Sequence, residues 1–214
     1  MTPDATHHGA AATQTVKVTI HPLWLRLTHW INAVAVVILV LSGWQIYNAS
    51  PIFAFRFPAG VTLGGWLAGG VLWHFAAMWL LVLNGLVYLA LNFATGRLHC
   101  KFFPLHPREL LHDLVAALRG KLAHDDLSRY NALQKLAYLF VIVDIVVIVC
   151  SGLVVWKSVQ FPLLRELMGG YDNARVVHFV GMAMLVTFIV VHIVMVALVP
   201  RTLVLMIRGG QSNE

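Results

Sequence analysis

Four apolar runs, each long enough to cross a lipid bilayer, leave this chain few ways to fold. They cover residues 27–47, 71–94, 133–155 and 176–199. A hydrocarbon core of about 30 Å takes roughly 20 helical residues to cross. Inside it every backbone amide and carbonyl must be satisfied by the chain itself, so spans of this length are helices. Composition agrees: 59% of the 214 residues are hydrophobic and 11% charged, where a water-soluble domain carries about a quarter charged residues. The expected fold is all-α, a bundle of four transmembrane helices. Residues 1–20 form a polar tail, 21–208 the membrane domain and 209–214 a second tail.

The first twenty residues lack the apolar core of a signal peptide, so the first span is expected to stay in the mature protein. Eleven of the fifteen Lys and Arg residues fall before the first span, from Arg97 to Lys135 at the start of the third, or after the fourth. Only Arg56, Lys157, Arg165 and Arg175 fall on the other side. The positive-inside rule then puts both termini and the middle loop in the cytoplasm of a bacterial inner membrane. These charges flank spans and carry no interleaved aromatic platform, which argues against nucleic acid as a partner. In the middle loop, PRELLHDLVAALRG spaces its leucines as an amphipathic helix does, lying on the cytoplasmic membrane surface or against a partner. The loop after the first span, IFAFRFPAGVTLGGWLAGG, reads as an interfacial, partly re-entrant segment. Trp44, Tyr47, Trp66 and Trp73 suit the aromatic belt at that boundary. Cys100 and Cys150 fall at different depths and imply no disulfide, and no C-x-x-C-H motif is present for covalent haem attachment.

Histidine raises the functional question. VHFVGMAMLVTFIVVH, residues 177–192, ends on His192 and carries His178 next to its start. Fourteen residues bring a helix back to within about 40° of the same face and roughly 21 Å further along its axis. With alternating span directions, His74 shares the external depth of His178, and His29 shares the cytoplasmic depth of His192. Two facing imidazoles at each of two depths suit bis-histidine haem b, because bonding to iron offsets the cost of polar groups in lipid. Zinc would want about four close ligands, and a proton relay would want a continuous chain of titratable groups. Gly43, on the face of His29, and Gly85, on the face of His74, offer surfaces without side chains for a flat macrocycle. Glycine also serves ordinary packing of membrane helices. Two six-coordinate haems would leave no open iron position, so the expected task is electron transfer between the membrane faces.

RLTHW (residues 26–30), WHF (73–75), YNALQKLAY (130–138) before a histidine-free third span, and the spacing of His178 and His192 carry a resemblance. From His21 to Arg208 the chain resembles the bacterial cytochrome b561 and nickel-hydrogenase cytochrome b superfamily, which includes formate dehydrogenase cytochrome b subunits. The resemblance implies two b haems, held externally by His74 and His178 and internally by His29 and His192. It implies a quinone site near the cytoplasmic haem and a redox subunit at the periplasmic face: a molybdenum enzyme, a hydrogenase or a c-type cytochrome. The chain would then be the quinone-reactive, electron-transfer subunit of an oxidoreductase. Stand-alone relatives imply an alternative, a quinone oxidoreductase acting on a small species such as superoxide. A non-haem transporter is the reading from another class, and it would want discontinuous helices.

Arg26, one turn before His29, suits a haem propionate or positive-inside anchoring. Asp144, in VIVDIVVIV, reads as a proton-carrying or haem-tuning group, or as a packing residue. Asn84 and Asn92 read as interhelical hydrogen-bonders. His99, His106, His112, Asn32 and Lys135 are candidates for quinone chemistry, and each also reads as an ordinary interfacial residue. His7 and His8 lie in the polar tail.

Overall fold

The computed structural model describes residues 18–19, 21–96 and 132–211. Four long helices dominate: α1 (Leu23–Ala49), α2 (Leu67–Ala94), α3 (Ala132–Lys157) and, after the short α4 (Pro162–Leu167), α5 (Tyr171–Leu198). A last helix, α6 (Pro200–Arg208), follows α5 directly. All four expected spans are helices long and apolar enough to cross a membrane. They outrun the apolar runs because helix stops at solvent-side breakers and not where hydrophobicity fades. Pro22 precedes α1, where its missing amide is no loss. Gly64 and Gly65, both at positive φ, turn the chain into α2, and a Cβ on Gly64 would collide with the Gly70 backbone. Pro200 ends α5, since its ring cannot continue the helical hydrogen bonds.

The helices pack as two hairpins. Close backbone approach joins α1 to α2 and α3 to α5. At one point in the first hairpin, Gly70 lets α2 come within 3.0 Å of the Gln45 side chain, measured from the Cβ it lacks. Between the hairpins sits a plug of buried apolar residues, Ala35, Val36, Val40, Leu81 and Leu185. Outward positions such as Leu72 and Leu83 stay exposed, as lipid-facing residues should.

The segment after α1 folds back along it. The Leu63 amide donates to the Leu41 carbonyl at 3.0 Å, roughly two turns below the end of the helix. Asn48 clamps the same segment by bonding both the amide and the carbonyl of Phe57 at 2.8 Å. Trp44 and Tyr47 depart from the expected belt: Trp44 stacks on Phe57 at 4.5 Å, and Tyr47 is buried among Phe55, Phe57 and Phe179.

Both described ends of the chain meet at the opposite end of the bundle. Val18–Thr19 and Gly210–Gln211 form a two-residue antiparallel ladder, and the His21 amide donates to the Gly209 carbonyl at 3.1 Å. The four spans among the described residues require this shared side. The amphipathic segment at 107–120, Cys100, His99, His106 and His112 lie outside the described residues.

Two histidine pairs between the hairpins

The four singled-out histidines meet in the expected pairs. The rings of His74 on α2 and His178 on α5 have centroids 6.3 Å apart at an interplanar angle of 65°. Those of His29 on α1 and His192 on α5 are 6.2 Å apart at 62°. Each pair bridges the two hairpins, and α5 contributes to both because His178 and His192 share one face. The apolar plug separates the two levels.

These separations test a metal-centred group directly. An imidazole nitrogen binds a metal ion at about 2 Å, and its ring centroid lies roughly 1.1 Å behind it. Two rings on opposite sides of one ion therefore stand roughly 6 Å apart. Both pairs have that spacing, and neither is close enough for a direct ring-to-ring hydrogen bond. Among the described residues, no third His, Cys, Asp or Glu joins either pair. Two protein donors suit haem, whose macrocycle supplies the remaining positions, better than they suit a tetrahedral zinc site.

Hydrogen bonds around the His74–His178 level decide which ring nitrogens face each other. Ser42 and Ser151 are fully buried. Each hydroxyl is within donating distance of a carbonyl one turn back in its own helix, Ser42 at 2.6 Å from Ile38 and Ser151 at 2.7 Å from Val147. With its one proton committed there, each oxygen can only accept from the imidazole Nδ1 that lies 3.1 Å away, on His74 and on His178 respectively. The Ile148 carbonyl, 3.0 Å from His178 Nδ1, accepts too. Nδ1 therefore carries the proton, and Nε2 presents its lone pair. The glycine after each serine clears space for the ring. A Cβ on Gly43 would lie 3.5 Å from His74 Cε1, and one on Gly152 only 3.2 Å from His178 Cε1.

The His29–His192 level is built differently. Trp30 meets the His29 ring edge-on at 5.4 Å, and Phe188 stacks on His192 at 5.9 Å. Asn84 steadies α1 beside His29 by donating at 2.7 Å to both the Thr28 carbonyl and Asn32 Oδ1. This makes Asn84 the expected interhelical hydrogen-bonder and commits Asn32 to the same link. Asn92 instead bonds the Tyr88 carbonyl of its own helix at 2.8 Å.

Of the remaining singled-out residues, Arg26 donates through Nη1 to the Ile207 carbonyl, capping α6, while its Nε is buried without a partner among the described residues. Gly43 lies against an imidazole, whereas nothing stands within 4 Å of where a Gly85 Cβ would be. Asp144 is buried on α3 facing Gly181 of α5, with Oδ2 unpartnered among the described residues. Cys150 is a free thiol.

Ser42, Ser151 and Gly152 escape a search for ligand-type residues, yet the sequence signals them. RLTHWINAVAVVILVLSGW (residues 26–44) and KLAYLFVIVDIVVIVCSGL (135–153) align without a gap, each ending in Ser-Gly and one further residue. In α2 and α5, superposing His74 on His178 also matches Gly70 with Ala174, Ala77 with Gly181 and Leu81 with Leu185, all of them buried. The second hairpin repeats the first. In that register His29 falls on Tyr138, and His192 falls on Tyr88.

Residues 20–209 match the family profile of prokaryotic cytochrome b561. A putative protein-methionine-sulfoxide reductase subunit, YedZ1, of Azospira oryzae is 67% identical over 89% of this chain and 96% of its own length. A probable Ni/Fe-hydrogenase B-type cytochrome subunit of Cupriavidus necator is 26% identical over 88% and 83% of the two chains. A protein of the same description from Azotobacter chroococcum is 25% identical over 81% and 77%. No solved structure matches.

Proposed function

The chain belongs to the prokaryotic cytochrome b561 family of membrane b-type cytochromes, and we propose that it holds two b haems and carries electrons from membrane quinol to a periplasmic reductase subunit. His74 and His178 hold one haem through Nε2, and His29 and His192 hold the other. The single observation that carries this reading is the repeated centroid separation of 6.2 and 6.3 Å between facing rings on different hairpins. Haem supplies one-electron chemistry, with its potential set by axial ligand, hydrogen bonding and burial.

The chain's own residues do the rest. α5 fixes the distance between the levels, because both of its ligands stand on one rigid face. The plug of Ala35, Val36, Val40, Leu81 and Leu185 keeps water out of the path between them. Gly85 leaves open space on α2 for a macrocycle, and Arg26 keeps a buried Nε free for a carboxylate such as a propionate. The basic residues clustered beside the chain ends favour a cytoplasmic position for the His29–His192 level. Quinol oxidation belongs at that side, and the His74–His178 level then faces the periplasm.

A subunit role is supported by the relatives' descriptions, and the 67% identical one points to a partner that reduces methionine sulfoxide in proteins. The test is haem content and the reduced-minus-oxidised spectrum of detergent-purified protein. Two low-spin b haems per chain are expected, with one lost in H74A or H178A and the other in H29A or H192A. A wild-type chain without haem, or four variants that all retain two, would sink the reading. Quinone reduction by a small reductant such as superoxide, with no second subunit present, would replace the partner-dependent role with the stand-alone one.

A further inference from the structure

We propose that the two Ser-Gly pairs, Ser42-Gly43 and Ser151-Gly152, are imidazole seats that position His74 and His178 and tune the haem they hold, leaving the other haem untouched. The proposal rests on the ligation reading above and adds positioning residues to it. It also explains why α3, which contains no histidine, is needed at the site.

Each seat has two parts. The hydroxyl, locked onto its own helix by bonds of 2.6 and 2.7 Å, turns a lone pair to Nδ1 at 3.1 Å. This settles the tautomer, and it fixes the ring's rotation about its bond to the chain. At Gly152 the missing Cβ would press on Cε1 of the same ring at 3.2 Å, and at Gly43 it would make an ordinary contact at 3.5 Å. Beside His178 a serine without the glycine would crowd the imidazole, and beside His74 a glycine without the serine would lose the hydroxyl that holds the ring. Accepting a hydrogen bond from Nδ1 makes Nε2 a more basic ligand, which favours the oxidised metal. Because each seat touches only one ring of the His74–His178 pair, its influence is confined to that level.

The seats also occur at matching positions of the two repeated hairpins, so one pseudo-twofold relation generates both halves of this level. The register relates His29 and His192 to tyrosines, and the rings of that pair are flanked by Trp30 and Phe188.

The experiment compares wild type, S42A, S151A and a control, T187A. Thr187 also bonds its hydroxyl to a carbonyl one turn back, Ala183 at 2.9 Å, but faces no imidazole. Redox titration and the low-spin ferric resonance spectrum are recorded for each. In S42A one haem should become easier to reduce, its reduction equilibrium shifting by about two- to tenfold, the worth of one hydrogen bond, and in S151A it should shift the same way by less, because the Ile148 carbonyl still accepts from His178 Nδ1. Its ferric signal should shift as the ring reorients. The second haem, and both haems of T187A, should match wild type. If wild type holds two low-spin haems and H178A removes one, while S42A and S151A leave midpoint and signal unchanged, the seats are overturned and the ligation stands. If both haems move together, or T187A moves them equally, the seats are again overturned. A wild-type chain without two haems overturns the ligation reading and the seats with it.

Discussion

The two histidine levels share a ring separation and almost nothing else. At the His74–His178 level both imidazoles are hydrogen-bonded through Nδ1 to buried hydroxyls, and each lies against a glycine. Tyr47 and Phe53 both pack against Phe179, the residue after His178. At the His29–His192 level aromatic contacts flank the rings, and the nearby polar link, Asn84 to Thr28 and Asn32, holds helices and not imidazoles. Hydrogen bonds fix a ring's rotation and tautomer, whereas stacking restrains its plane and leaves the donor pattern open. The first level is therefore specified in ring rotation and tautomer, and the second in ring plane alone. In the proposed function, the looser level is the natural place for exchange with quinol.

The comparison breaks most sharply by removing ligands. Alanine at one member of either pair should cost one haem of two, read as haem per chain, and leave the other level's spectrum in place. Next in size is crowding at the seats. G152A puts a methyl 3.2 Å from His178 Cε1, while G43A puts one 3.5 Å from His74 Cε1. Overpacking of a well-filled site costs about 1–3 kcal/mol, so G152A should lower haem retention at that level and G43A should do so less. Equal effects from the two would argue that the spacing difference carries no energy.

Smaller effects sharpen the contrast from the other side. N84A removes two bonds joining α1 and α2, and interhelical hydrogen bonds in membranes are worth about 0.6 kcal/mol each on average. Thermal unfolding in detergent should come earlier, with the His29–His192 haem perturbed and the other unchanged. Least of all, R26Q loses the Arg26 guanidinium that caps α6. It should alter the spectrum only at the His29–His192 level; a change confined to the His74–His178 level would contradict the placement of Arg26.

Much of this was legible in the chain. Apolar length and the bilayer's thickness dictated four helices, and helical periodicity put His178 and His192 on one face and predicted both pairs. Asn84 was readable as an interhelical bonder because a buried amide in a membrane must find a partner. Asn92 misled, since a side chain can satisfy itself on its own helix. Trp44 and Tyr47 misled because belt residues and inward-packed residues share the same composition near a span's end.

Residue count and rise per residue were enough for the four spans, their helical type and the level of each histidine along its helix. Packing alone set the pairing of α1 with α2 and α3 with α5, the reach of Ser42 and Ser151 to imidazoles on neighbouring helices, and the capping of α6 by Arg26. Those outcomes depend on which faces of different helices meet. Rotation about each helix axis is set by interlocking of small residues such as Gly70 and Gly181, and a uniformly apolar span carries no amphipathic stripe from which that rotation can be read.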